Sequence, residues 1–218
     1  MMIPVSAIVT AHREGELLKE CIESIQNQTY PVEELIIIVD QGEQETLDVA
    51  MATGAKVYQV MYGNTYLAKR AGLQAAQYNA ILSVDADTTL AGDFLERGIK
   101  HLETYDAATG HVYSRERTLM GDIAGAVSNI LPGVVYLSGP GYVLNRMAYQ
   151  ETCKIRRVGE DLYIDHCTEE REIPLQRLDA IKDPQMRMWT ILPSQGQRRM
   201  IIGARVVGGL FTVLRVLA

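Results

Sequence analysis

The sequence predicts an α/β domain with a mostly parallel central sheet flanked by helices. Three observations carry this. Before residue 90, short apolar runs alternate with stretches of helical spacing, the rhythm of strands joined by crossover helices. The second run, Leu35-Ile36-Ile37-Ile38-Val39, is apolar throughout and so should be buried on both faces, as parallel strands are. The fourth, Ile81-Leu82-Ser83-Val84, stops on Asp85 and Asp87, where an open α/β sheet presents its ligand-binding edge.

Taken in order, Val5-Ser6-Ala7-Ile8-Val9-Thr10 reads as the first strand. Residues 16–26 carry Leu17, Leu18, Cys21, Ile22 and Ile25 at helical spacing, and Thr29-Tyr30-Pro31 ends that helix. Residues 34–40 form the second strand, with Asp40 at its end. A second helix is expected over 43–53, stopped by Gly54, then a strand over 56–61 and a helix over 66–77. Beyond Asp87 the pattern predicts a helix over 92–102, a strand over 107–113 and a polar surface connection over 114–122. Residues 134–144 read as two short strands around Gly139-Pro140-Gly141.

Bulk properties narrow the function classes. At 218 residues and 47% apolar content the chain can bury one substantial core. A net charge of -6 argues against a general nucleic-acid binder, whose affinity draws on a basic surface. Cys21, Cys153 and Cys167 have no metal-ligand spacing and their odd number argues against a disulfide framework, so buried thiols are expected. Met1-Met2-Ile3-Pro4-Val5 lacks the charged and long apolar regions of a signal peptide, which gives a cytoplasmic expectation.

The chemistry centres on the acidic pair. Residues two apart on a strand point the same way, so Asp85 and Asp87 could share one cation, and hard oxygen ligands suit Mg2+ or Mn2+. Two aspartates capping a turn would explain the same residues.

Five ordered pieces carry a resemblance: Val5 through His12, Gln28-Thr29-Tyr30-Pro31, Leu35 through Asp40, Leu67-Ala68-Lys69-Arg70-Ala71-Gly72, and Val84-Asp85-Ala86-Asp87. Together they resemble the family-two glycosyltransferases of the GT-A fold. The resemblance implies a GT-A-like, nucleotide-sugar-binding domain using UDP and a divalent cation, Mn2+ or Mg2+. Thr10, Ala11, His12 and Glu14 would lie along the nucleotide, with His12 in the place usually held by Tyr. Asp40 falls on the second Asp of the family's Val-Asp-Asp-Gly-Ser stretch, which recognises a pyrimidine base, and Val39 replaces the first. Lys69 and Arg70 would face the nucleotide. Asp85, Ala86 and Asp87 would form the metal and donor site, a DXD motif, Asp87 being the usual direct ligand. A solvated helix face would also account for Lys69 and Arg70.

Farther along, Gly159-Glu160-Asp161 resembles the segment that supplies the catalytic base in inverting members, which assigns Asp161 to the acceptor's proton. Acidic residues opening a helix are the alternative. The turn at 139–141, which precedes a strand and Arg146, would border donor sugar and acceptor, an ordinary tight turn being the alternative, while His166 is expected to be structural. Gln195-Gly196-Gln197-Arg198-Arg199 resembles the Gln-x-x-Arg-Trp motif, bringing Gln195 and Arg198 toward the donor diphosphate; Arg199 in place of Trp argues against processive polymerisation.

The implied organisation is a glycosyltransferase domain over 1–195, nucleotide-binding over 1–100 and acceptor-binding over 101–195, followed by a basic amphipathic helix over 196–218. On that helix Arg198, Arg205 and Arg215 share a side opposite Val206, Leu210, Val213 and Leu217. An Arg near the centre of a spanning helix costs about 3 kcal/mol, which favours a helix lying on the cytoplasmic face of an anionic membrane. Packing on the domain and pairing in a homo-oligomer are the other readings. The expected reaction moves a sugar from a UDP-sugar to a glycan or lipid-linked acceptor. A sugar nucleotidyltransferase and a non-catalytic sugar-nucleotide-binding module are the rivals.

Overall fold

The computed structural model describes residues 2–130, 140–147, 155–158, 161–164 and 179–192. Its centre is β1 (Val5–Ala11), buried at every position. Parallel neighbours β2 (Glu34–Asp40) and β4 (Ala80–Asp85) lie on either side, and Thr10 is in register with both Ile38 and Asp85. With α1 (Glu16–Gln26), α2 (Gln44–Ala52), β3 (Lys56–Val60) and α3 (Thr65–Ala75), the first half follows the expected βα alternation. It continues through β5 (Thr89–Leu90), α4 (Phe94–His101), β6 (Ala107–Ser114), α5 (Leu119–Ile130), β7 (Gly141–Asn145), the hairpin β8 (Ile155–Val158) and β9 (Asp161–Ile164), and β10 (Ala180–Thr190).

Eight strands form one sheet in the order β3-β2-β1-β4-β7-β6-β10-β5. Pairing is parallel from β3 to β4 and between β6 and β10, and antiparallel at β7 and β5. The chain builds outward from β1 to β3, then returns to place β4 on the other side of β1. That reversal opens a crevice at the carboxyl ends of β1 and β4, where α/β sheets bind ligands.

Both faces are covered, as the uniform apolarity of β2 requires. Val5, Ala7, Val9 and Ile37 pack with Leu18, Ile22, Ile25, Phe94 and Leu95, while Ile8, Ile36, Ile38 and Ile81 pack with Ala68 and Leu73. Each fully buried Ile or Leu contributes about 1.5–3 kcal/mol of transfer free energy, so these two layers fix the sheet under the crevice. Helix α3 seats closely because Gly72 faces β1: a Cβ there would stand 2.3 Å from Ile8 Cγ2. The Gln28-Thr29-Tyr30-Pro31 stretch also serves the scaffold. Gln28 Nε2 donates to Ala91 O at 2.8 Å and Gln28 Oε1 accepts from Leu95 N at 2.9 Å, tying α1 to the start of α4.

Several expectations need correction. Strand β4 ends at Asp85, and Asp87 sits in the turn that follows, so alternation along a strand does not relate the two carboxylates. The expected surface connection over 114–122 contains the start of α5. Thr118 Oγ1 accepts from Gly121 N at 3.0 Å, the side-chain cap that begins this helix. Asp161 opens a strand in a hairpin, with Val158 in register opposite, and not a helix. Strand β7 carries the chain away from the crevice, so that Arg146 lies at the far end of the sheet, where its N–H donates to Asn79 O at 2.9 Å and Asn145 pairs with the first residue of β4. Strand β10 had no counterpart in the sequence reading. Of the two strands expected around Gly139-Pro140-Gly141, the second is β7, while the first, with His166, Cys153, Cys167, Gln195, Arg198 and the 196–218 segment, lies outside the described residues. Among those described, no helix is long and apolar enough to cross a membrane.

Candidate functional site

At the switch between β1 and β4 a cleft of about 360 Å³ opens, within the range of ligand pockets. The end of β1 supplies Thr10, Ala11, His12 and Glu14; the end of β2 supplies Asp40 and Gln41. Gly63, Asn64, Thr65 and Ala68 come from the start of α3 and the loop before it, and Asp85, Ala86 and Asp87 from the end of β4. Most of the residues selected from the sequence thus meet in one place. Lys69 and Arg70 do not line the cleft. Of Asp161 only the strand placement is described.

Asp40 is 6% exposed, and its carboxylate is committed to backbone. Oδ1 accepts from Tyr62 N at 2.7 Å and Gly63 N at 3.0 Å, and Oδ2 accepts from Asn64 N at 2.9 Å. One side chain therefore shapes the loop that forms the opposite wall. Asn64 Oδ1 in turn accepts from Leu67 N at 3.3 Å, opening α3. His12 Nδ1 stands 2.5 Å from Asp40 O, and since a carbonyl only accepts, that nitrogen carries the proton. Gln41 is left-handed, φ 51°, facing Gly63 at φ 59°. A Cβ on Gly42 would stand 2.2 Å from Val39 Cγ1 and 3.0 Å from His12 O, so this position requires glycine.

Glu14 closes the turn after β1, its Oε2 accepting from His12 N at 2.5 Å and Arg13 N at 2.8 Å. Across the cleft, Ala86 N donates to Thr10 O at 3.1 Å and Asp85 N to Pro140 O at 2.9 Å. These bonds carry the acidic segment past the strand end at a fixed height.

The two acidic side chains stand in different surroundings. Asp85 Oδ1 pairs with Lys69 Nζ at 2.8 Å, and Thr10 Oγ1 lies 3.5 Å from the same oxygen. Burial raises the Asp85 pKa above the ordinary carboxylate value, with Lys69 opposing it and Asp87 adding to it. Asp87 Oδ1 accepts from Thr190 Oγ1 at 3.0 Å and Thr88 Oγ1 at 3.2 Å, and Arg115 Nη1 donates to the Asp87 carbonyl at 3.2 Å. Cys21, beneath the site, is buried with its Sγ 3.5 Å from Asp85 O. Burial, then the charge of Asp85, pushes its thiol pKa up, so it is no nucleophile.

Two hard carboxylates on one wall fit a divalent cation in ligand type. Among the described residues, however, no three His, Cys, Asp or Glu side chains converge on one point. Such an ion would have to draw its remaining ligands from water and substrate phosphates, the usual state of Mg2+. With Asp85 drawn to Lys69, Asp87 is the carboxylate better placed to serve.

Gln41, Asn64, Thr65, Arg115 and Thr190 were not among the residues expected from the sequence. Asn64 carried a signal, as an N-cap residue directly before a helix. Gln41 and Thr65 adjoin Asp40 and Asn64, while Arg115 and Thr190 owe their places to contacts distant in the chain.

Comparison with known proteins gives consistent results. The family model for glycosyl transferase family 2 matches residues 6–122. Over 103 residues the chain is 25% identical to glycosyltransferase AglE of Haloferax volcanii, covering 44% of this chain and 34% of that one. Over 93 residues it is 33% identical to the 4,4'-diaponeurosporenoate glycosyltransferase of Staphylococcus haemolyticus, covering 39% and 24%. The matched stretch thus spans about a third or less of these relatives' lengths. Among solved structures, S. aureus TarS in complex with UDP-GlcNAc superposes with a TM-score of 0.63 at 12% identity, covering 88% of this chain and 59% of that one. Glucosyl-3-phosphoglycerate synthase of Mycobacterium tuberculosis, in complex with Mn2+, UDP and phosphoglyceric acid, gives 0.50 at 19% identity, covering 67% and 57%. At these identities the structural matches show the fold.

Proposed function

The chain belongs to glycosyl transferase family 2, and from that premise we propose that it moves a sugar from a UDP-sugar donor to a glycan or lipid-linked acceptor, inverting the anomeric centre with Mn2+ or Mg2+ bound. The fold is that of the GT-A glycosyltransferases. The observation that carries the proposal is the convergence of Asp40, Asp85 and Asp87 on one cleft at the strand switch point.

The roles follow from the surroundings of each group. Asp40 sets the Tyr62-Gly63-Asn64 loop as a wall for the nucleoside, with Gln41 and His12 beside it. Lys69 pairs with Asp85, opposing the effect of burial on its carboxyl, and holds it in place. Asp87 and the donor phosphates would hold the cation, which offsets the charge that grows on the departing diphosphate. The TarS structure contains UDP-GlcNAc and the mycobacterial one Mn2+ with UDP, which supports a uridine donor and a divalent ion here. Asp161 is assigned the acceptor hydroxyl's proton, and Gln195 and Arg198 the diphosphate, from their resemblance to family motifs. A contact between residues 196–218 and an anionic membrane belongs to the same proposal.

The test is product identity. The full chain, supplied with UDP-sugars, Mn2+ and acceptor extracts, should release UDP. Asp87→Ala should lower that release by at least about a hundredfold, the cost of removing one group that stabilises a transition-state charge. Release of pyrophosphate from a nucleoside triphosphate and a sugar phosphate would replace the proposal with a nucleotidyltransferase. Donor binding with neither transfer nor hydrolysis would replace it with a binding module.

A further inference from the structure

Asp87 is held in part by a residue that the family match does not reach. Thr190, at the end of β10, lies outside residues 6–122 and 103 positions from Asp87 in the chain, yet its hydroxyl donates to Asp87 Oδ1 at 3.0 Å. Thr190 is 4% exposed and Thr88 is fully buried, and both hydroxyls converge on that same oxygen. Among the described residues Oδ2 accepts no hydrogen bond, and Asp87 lines the cleft. The backbone of the turn is fixed from the same side. Arg115 Nη1 reaches the Asp87 carbonyl, Arg115 Nη2 pairs with Glu20 on α1, and Arg115 N donates to Thr190 O at 2.8 Å.

We propose that Thr190 is a positioning residue for Asp87: its hydroxyl occupies one carboxylate oxygen and so presents the other to the cation and donor diphosphate. The inference rests on the proposed function, since it takes Asp87 as the cation ligand. A carboxylate in a turn has free rotation about two bonds. Two buried hydroxyls on one oxygen remove that freedom before the ligand arrives, and groups that orient a metal ligand in this way typically set metal affinity by 10–100-fold. Chain order explains why β10 matters: it brings a residue from the C-terminal half, 103 positions away in the chain, to the Asp87 carboxylate.

The test uses the full chain and reads Mn2+ binding by calorimetry in saturating UDP, alongside UDP binding without metal. Thr190→Val keeps the shape and removes the hydroxyl. It should weaken Mn2+ binding by at least about tenfold while leaving metal-free UDP binding and thermal stability near wild type, and Thr190→Ser should restore the affinity. Thr190→Ala carries the same expectation should the valine variant fail to fold. Asp87→Asn is the reference. If Asp87→Asn loses Mn2+ while Thr190→Val and Thr190→Ala bind it as wild type, the positioning role is overturned and the proposed function stands. Equal losses of Mn2+ and metal-free UDP binding in the Thr190 variants would also overturn it, marking general disruption of the cleft. If Asp87→Asn binds Mn2+ unchanged, the cation assignment itself fails and the role of Thr190 fails with it.

Discussion

Lys69 of α3 and Asp85 of β4 form an ion pair at 2.8 Å beneath the cleft, the lysine side chain 8% exposed and the aspartate 29%. The lysine ammonium also stands 5.9 Å from the centre of the Tyr142 ring, which helps to hold its charge in a buried setting. Removing one member of such a pair leaves the other uncompensated. Lys69→Met should therefore destabilise the fold by about 3 kcal/mol at pH 7, the low end of the usual cost because Asp85 keeps some contact with water. Adding Asp85→Asn should recover part of this loss. Urea denaturation of the two single variants and the double variant measures the coupling; strictly additive effects would show that the pair is not coupled.

Asp40 accepts three backbone N–H groups from Tyr62, Gly63 and Asn64, and an amide in its place would turn an N–H2 toward donors. Each buried donor left unsatisfied costs about 1–3 kcal/mol. Asp40→Asn should accordingly speed hydrogen exchange at Tyr62, Gly63 and Asn64 by about tenfold or more, with β1 and β2 protected as before. Unchanged protection at these three amides would show that the loop holds itself.

The parts legible in the sequence are those with an unbroken local period. Strands β1, β2 and β4 and helix α1 follow from runs of apolar residues and from Leu18, Cys21, Ile22 and Ile25 on one helical face. Strand β10 was hidden because Asp183, Pro184 and Gln185 interrupt it. The structure absorbs them as a shift of register against β6 between Asp183 and Arg187. Helix α5 left a signal that could have been used, Thr118 as cap followed by apolar residues at 119, 123, 127 and 130. Asp40 and the Asp85–Asp87 segment were found by residue type. Their partners Thr190, Arg115 and the 62–64 amides were not, because a threonine hydroxyl or a backbone N–H has no compositional mark and reaches the site only through the fold.

The register shift in β10 depends on glycine in β6. A Cβ at Gly110 would stand 2.0 Å from Met186 O and 2.8 Å from Met186 Cβ, and a strand carbonyl cannot rotate aside as a side chain can. Gly110→Ala should cost about 2–3 kcal/mol, as overpacking does when the neighbour is rigid. Gly92→Ala is the control. Its nearest neighbour would be Asn27 O at 3.8 Å, with no backbone strain, and it should be neutral or stabilising by up to about 1 kcal/mol. Urea midpoints for both variants check the contrast, and equal midpoints would remove the steric account of β10.

Glu34 marks the opposite end of the sheet and sets a pH dependence separate from the cleft. Its carboxylate accepts from Gln77 N at 2.9 Å and from the Ser6 hydroxyl, and pairs with Lys56 Nζ at 2.6 Å. Burial opposes its ionisation, but the Gln77, Lys56 and Ser6 contacts together outweigh it and hold the pKa below the ordinary 4.5. Since the folded value lies below the unfolded one, the contribution to stability is complete above pH 4.5. As pH falls the unfolded chain takes the proton first, and the contribution is lost progressively until the folded carboxylate protonates as well. Glu34→Gln should therefore be less stable than wild type at pH 7, and the gap should close as the pH is lowered past 4.5. UDP binding at pH 7 should be unaffected, because this network lies at the amino ends of β1 and β2. Urea midpoints at several pH values for both proteins measure the gap, and curves that stay parallel down to acid pH would show that Glu34 titrates alike in the folded and unfolded chains.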